Sequence, residues 1–186
     1  MDYEVTLQTN KILTLTKKQY TMKEKSIELL NKAVADELSA VHQYMYFHFH
    51  CDDRGYDLLS GLFRRTAIQE MMHVERLAER VLFLKGEVEM KPAVEVKKIH
   101  DVKGMLELAA QMETESARDY NLWANECAAN ADSVSKKLFE ALVEEEEVHF
   151  DQYDVELENL AKFGDNYLAL QSIERSKNLA AGTPAE

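Results

Sequence analysis

The chain has 186 residues, of which 46% are apolar and 30% charged, a balance that suits one soluble domain with its own hydrophobic core. Its 22 Lys and Arg against 34 Asp and Glu leave a net charge of −12, which disfavours nucleic acid as a partner and suits a protein that attracts cations. Two cysteines, Cys51 and Cys127, exclude a Cys₄ zinc or rubredoxin-type site, and 6 Gly with 2 Pro are too few for a turn-rich all-β fold.

Residues 1–20 carry Asp2, Glu4, Lys11, Lys17 and Lys18 and no long apolar run, so they do not read as a signal peptide. The stretch from Val5 to Thr16 has some β propensity and reads as an N-terminal extension without an assigned role. Thr21 with Glu24 has capping-box spacing, and no Gly or Pro follows until Gly55. This predicts a first helix over 22–54. A second is predicted over 56–85, with Gly86 as its stop. Residues 86–100 contain Pro92 and read as a crossover loop without regular helix. Asp101 caps a third helix running to about Asn130. Asp132 or Ser133 caps a fourth, which runs to Phe163 and ends at Gly164. A short fifth helix fits 166–179 within a segment 164–180, and 181–186 is a frayed tail. Residues 21–163 therefore read as one four-helix bundle. No stretch has the roughly 18 apolar residues of a membrane span, and two unpaired thiols suit a cytoplasmic location.

Helices of about 30 residues are each about 45 Å long. Two short connections make antiparallel hairpins, and the long middle connection brings the second hairpin back along the first. The predicted fold is all-α, with one long crossover between helices 2 and 3. The first and third helices then run antiparallel. Cys51 and Cys127 fall toward opposite ends, about 40 Å apart, far beyond the roughly 7 Å Cα limit of a disulfide.

Two Glu-x-x-His motifs stand out, Glu70-Met-Met-His73 and Glu146-Glu-Val-His149. Residues i and i+3 share a helix face, so each pair can offer a carboxylate and an imidazole to one metal. Glu37 precedes Glu70 by 33 residues, and Glu113 precedes Glu146 by the same interval. An offset of 76 carries Glu37 to Glu113, Glu70 to Glu146, His73 to His149, Tyr44 to Tyr120 and Cys51 to Cys127. This predicts two related hairpins about a pseudo-two-fold axis, with four Glu near mid-helix facing the core. Buried carboxylates are costly unless paired or metal-bound, and no Lys or Arg stands at matching positions. Four Glu and two His make a two-metal set, and oxygen-rich ligation suits Fe or Mn.

Several of these stretches resemble the bacterioferritins, the haem-containing branch of the ferritin superfamily. The resemblance runs from Ile27 to Ile173. It is carried by Glu37-Leu-Ser-Ala-Val-His-Gln-Tyr44, Gln69-Glu-Met-Met-His-Val-Glu-Arg76, Leu82-Phe-Leu-Lys-Gly86, Glu144-Glu-Glu-Glu-Val-His149 and Gly164-Asp-Asn-Tyr-Leu168. It implies a ferritin-like four-helix bundle with a short C-terminal helix. It also implies two Fe per subunit, with Glu37 and Glu113 as terminal ligands, Glu70 and Glu146 as bridges, and His73 and His149 completing each site. Tyr44 matches a Tyr near the metals. The implied activity is oxidation of Fe(II) by oxygen or peroxide, with ferric mineral stored in a shell of 24 subunits, or 12 as the second choice. A ferredoxin is one candidate electron donor. Alternatives are a non-storage di-iron or di-manganese oxidase or peroxidase, and a haem-binding helical oligomer.

At 100° per residue, Met71 and Met72 lie off the face of Glu70 and His73, on opposite sides. Both are expected to point away from the core, where Met suits an interface. The resemblance places Met71 at the family's haem position, giving one haem per two subunits. Arg65 and Gln69 stand where better-known members carry a His and an Asp for an inner-surface iron, and Arg cannot ligate usefully. His48, His50 and the run Glu144–Glu147, apart from Glu146, read as surface. His100 and Trp123 receive no role.

Overall fold

The computed structural model describes the backbone of residues 2–181, with side chains described from residue 23 onward apart from Asp165, Glu174, Asn178 and Leu179. Five helices follow in chain order: α1 (Asp2–Asp53), α2 (Asp57–Phe83), α3 (Val102–Ala129), α4 (Ser133–Phe163) and α5 (Asp165–Ala180). No strand occurs among the described residues. The tail expected at 181–186 lies outside them beyond Ala181.

The first helix differs from expectation. It begins at Asp2, so Thr21 lies inside it rather than capping it, and the β-prone stretch from Val5 to Thr16 is helical. The physical reason is the missing breaker: no Gly or Pro occurs before Gly55. β-branched residues cost only up to about 0.7 kcal/mol each in a helix, too little to stop one already propagating. At 52 residues α1 is about 78 Å long.

The other boundaries follow local chemistry. Asp101 caps α3 by accepting from the Gly104 amide at 2.7 Å. Asp132 caps α4 by accepting from the Ser135 amide at 3.1 Å. Gly55 and Gly164 take positive φ (78° and 55°) at the ends of α1 and α4, where a side chain would be strained. At the end of α2 the positive φ falls on Lys85, at 66°. Gly86 is needed for a different reason: a Cβ there would come within 2.7 Å of the Ile27 side chain.

Residues 86–100 form the irregular crossover, held along α1 by three polar side chains. Asn31 bonds Glu87 and Glu89 backbone, Ser39 Oγ accepts from the amides of Ala93 and Val94, and Gln43 both donates to and accepts from Lys97 backbone. The rungs advance in the same direction along both segments, so α3 starts near the far end of α1. The two helices therefore run antiparallel. Their cross-contacts agree, because Tyr44 reaches Glu113 while Tyr120 reaches Glu37. Cys51 sits beside Met105 and Cys127 beside Ser26, at opposite ends of the bundle, both free and buried.

The core is two apolar clusters. One contains Phe47, Phe63, Met105, Leu106 and Tyr153, and the other Leu29, Leu30, Leu77, Phe139 and Leu142. Burying each such side chain contributes about 1.5–3 kcal/mol. The charged layer lies between them. α5 folds against the first cluster's end: Arg175 donates to Asp57 at 2.7 Å and Asp52 at 2.6 Å, and Gln171 accepts from the Leu59 amide at 3.2 Å.

Candidate metal centre

Each of the four long helices supplies one carboxylate to a single layer. α1 brings Glu37, α2 Glu70, α3 Glu113 and α4 Glu146, while α2 and α4 add His73 and His149 one turn on. All six residues are at most 2% exposed. Glu70 and Glu146 each span both imidazoles. Glu70 Oε2 lies 2.9 Å from His73 Nδ1, and its Oε1 lies 3.0 Å from His149 Nδ1. Glu146 Oε1 lies 3.2 Å from His73 Nδ1, and its Oε2 lies 3.1 Å from His149 Nδ1. Glu37 reaches only His73, at 3.3 Å, and Glu113 only His149, at 3.8 Å.

The layer separates into two overlapping groups. Glu37, Glu70, His73 and Glu146 form one, and Glu70, Glu113, Glu146 and His149 the other, each with its ligand atoms within 4.8 Å of one another. Glu70 Oε1 and Oε2, His73 Nδ1 and Glu146 Oε1 are buried without an aligned hydrogen bond, despite their close neighbours. Such atoms are costly in a protein interior, at about 1–3 kcal/mol each and more when charged. Cations between them would satisfy all four, so the residues present fit two metal ions. Three carboxylates and one imidazole around each position match hard or borderline ions such as Fe and Mn.

The protons of the metal-free layer reflect the same crowding. Burial, and then the charges of Glu146 and Glu70, raises Glu37 well above the usual carboxylate range. Burial and then Glu70 do the same to Glu113. Burial alone would lower the two imidazoles, but the surrounding carboxylates outweigh it. His73 is raised far above its ordinary value and His149 up to about 12. Without metal, the layer therefore holds protons that ligation must displace. Affinity for a divalent ion is expected to rise with pH between about 6 and 8, by one logarithmic unit per pH unit for each net proton released. Titrating Co(II) at several pH values, with proton release followed by a dye, checks this. An affinity independent of pH would contradict the proton-holding layer.

The chain was compared with known proteins. Residues 27–163 match the ferritin-like domain family. The chain is 36% identical to a bacterioferritin of Desulfovibrio desulfuricans over 169 residues, covering 88% of this chain and 94% of that one. It is 34% identical to a Brucella melitensis bacterioferritin, covering 76% and 88%, and 31% identical to one of Rhodobacter capsulatus, covering 78% and 91%. This chain belongs to the bacterioferritin family. The fold agrees. An X-ray structure of the Desulfovibrio desulfuricans bacterioferritin, whose diiron site is described in different catalytic states, matches with a TM-score of 0.82 at 34% identity. The match covers 90% of this chain and 93% of that one.

Around the six residues, two tyrosines complete the layer. Tyr44 donates to Glu113 Oε1 at 2.5 Å, and Tyr120 donates to Glu37 Oε1 at 2.7 Å. Each holds one carboxylate oxygen, Oε1 of Glu113 and Oε1 of Glu37, and makes no bond to the other. Tyr120 had shown itself in the sequence only through the 76-residue offset. Glu145, which reads as part of a solvated run, instead accepts from His73 Nε2–H at 2.9 Å and from Arg76 at 2.6 Å. Nothing in the local pattern distinguishes it from Glu144 or Glu147.

Outside the layer, Met71 and Met72 are 47% and 49% exposed and point away from the core, as their helical phase requires. Arg65 and Gln69 are also exposed on α2. His48 is not a bare surface residue, because its Nδ1 lies 2.9 Å from Ser60 Oγ and 3.0 Å from the Ser60 carbonyl. His50 packs against Tyr46 and His100. No described helix is long and apolar enough to cross a membrane.

Proposed function

We propose that this chain is a ferroxidase subunit that oxidises Fe(II) at the four-Glu, two-His layer and stores ferric mineral inside a hollow shell. The observation that carries this reading is the placement of Glu70 and Glu146. Each directs one oxygen toward each histidine, as two carboxylates bridging a pair of metals require. Iron bound there as substrate would supply the electrons: two Fe(II) give up one each and, with two protons taken from solvent, reduce oxygen to hydrogen peroxide or hydrogen peroxide to two waters. The protein's own part is positional and electrostatic. Glu37 and Glu113 act as terminal ligands, held by Tyr120 and Tyr44, and the four carboxylates stabilise the higher positive charge of the oxidised pair. The apolar clusters on either side keep bulk water from the layer.

The reading extends to a haem. Met71 offers an exposed thioether beside the exposed Ile68 on α2. One Met71 from each of two subunits would hold one iron tetrapyrrole, supplying an electron route to the shell. The protein is proposed to work in the cytoplasm, with a ferredoxin as donor.

A closed shell repeats the same contacts by symmetry, and the exposed apolar side chains Leu82, Phe83, Val134 and Phe163 are of the kind such contacts cover. We expect 24 subunits by native mass spectrometry, with 12 as the second choice. Aerobic Fe(II) addition is expected to load hundreds of irons per shell. A monomer or dimer that stops at two irons per chain would favour a non-storage di-iron or di-manganese oxidase or peroxidase instead.

A further inference from the structure

The repeat that makes the metal layer pseudo-symmetric fails at its edge. Beside His73, the Nε2–H donates to Glu145 Oε2 at 2.9 Å, and Arg76 Nη1 donates to Glu145 Oε1 at 2.6 Å. These residues run from the buried layer to the surface, His73 being 1% exposed, Glu145 44% and Arg76 35%. The offset that carries His73 to His149 pairs Glu145 with Gln69 and Arg76 with Gln152. Neither glutamine carries charge, and Gln69 is exposed on α2. The close polar contacts of His149 among the described residues all run through Nδ1, to Glu70, Glu146 and Glu113. One imidazole is therefore held at both nitrogens and the other at one.

We propose that Glu145, braced by Arg76, is a positioning residue that makes the two metal positions unequal. The position formed by Glu37, Glu70, His73 and Glu146 then fills first and more tightly than the position formed by Glu70, Glu113, Glu146 and His149. This rests on the two-metal reading above. A carboxylate accepting from Nε2–H fixes the tautomer whose Nδ1 lone pair faces the metal, locks the ring against rotation and raises its basicity as a ligand. Glu145 alone, half-exposed on a flexible stem, would hold the ring loosely. The Arg76 guanidinium restrains it from the other side. His149 has neither aid, so its ring must be ordered by the metal itself, and that ordering is subtracted from affinity.

The test is anaerobic titration of the metal-free protein with Co(II), read by calorimetry and visible absorption. The expected wild-type result is two ions per subunit in two resolved steps. Glu113→Ala should remove the weaker step and spare the tighter, and Glu37→Ala should do the reverse. Glu145→Ala should weaken the tighter step roughly tenfold to a hundredfold while leaving the weaker one in place. Glu145→Asp should recover part of the loss. A purely structural defect would lower both steps together. In the Zn(II)-loaded protein, the His73 Nε2–H proton should exchange slowly with water, and fast in Glu145→Ala, with the His149 signals unmoved. Two equal steps in the wild type, an unchanged tighter step in Glu145→Ala, or the opposite pattern for Glu37 and Glu113 would overturn the proposal. Absence of any Co(II) binding by the wild type would instead overturn the two-metal reading itself, and this inference with it.

Discussion

Replacing Glu70 and Glu146 together by alanine is expected to abolish rapid Fe(II) oxidation while leaving the oligomer assembled. Both carboxylates are at most 1% exposed, and each lies between the two histidines, so the double change removes the two residues that both candidate metal groups share. Losing a hydrogen-bond partner of a ligand typically costs ten- to a hundredfold in metal affinity. Losing two shared ligands should cost more, so the initial rate in stopped-flow absorbance should fall by more than about a hundredfold. Helix propensity does not suffer, since Ala is the best helix former. The removed anions are also an internal strain, because burying each ion costs several kcal/mol. The metal-free variant should therefore keep its helical content, while the rise in Tm on adding Fe(II) or Co(II) disappears. Oxidation at the unmutated rate would show that the chemistry lies elsewhere.

Met71→Leu is expected to remove haem from the protein and nothing else. Met71 sits one residue from Glu70, yet its side chain is 47% exposed, on a face of α2 that does not enter the metal layer. Leu conserves volume and hydrophobicity, so the fold and the metal layer should persist. If one Met71 from each of two subunits ligates a single iron, the site lies on a two-fold axis and binds half a haem per chain. Protein purified from haem-replete cells should show a haem absorption band that Met71→Leu lacks, with native mass unchanged. Met72, turned to the other side, should not substitute. Thioether ligation should also place the haem potential above that of a bis-imidazole haem. A wild type without tetrapyrrole, or a Met71→Leu variant with an unchanged spectrum, would leave Met71 as a packing residue at an interface.

The di-metal set was legible because helical geometry turns sequence spacing into shared faces. Glu70 with His73, and Glu146 with His149, can only meet on one side of a helix, and a 76-residue repeat of five functional and core positions is hard to produce otherwise. Helix ends were legible where side chains cap them locally, as at Asp101 and Asp132. The start of α1 was not, because a capping-box spacing at Thr21 is only a local preference and no breaker enforces it. Gly86 was read as a helix stop, but the structure assigns that conformation to Lys85 and requires Gly86 for its close approach to Ile27, 59 residues earlier in the chain.

Sequence alone thus determined the all-helical class, the one-crossover topology and which four Glu and two His meet in one buried layer, because periodicity, breakers and repeat spacing are properties of the chain read in order. Tertiary structure decided the pairings between helices. Tyr44 with Glu113, Tyr120 with Glu37, and Glu145 with both His73 and Arg76 join residues 69 to 83 positions apart. Their contact depends on the register and rotation of packed helices. That register is set by the two apolar clusters and by the Asn31, Ser39 and Gln43 rungs of the crossover. A Glu in a run of four carries no mark of which neighbour packing will bring to it, so only the folded bundle separates Glu145 from the solvated residues beside it.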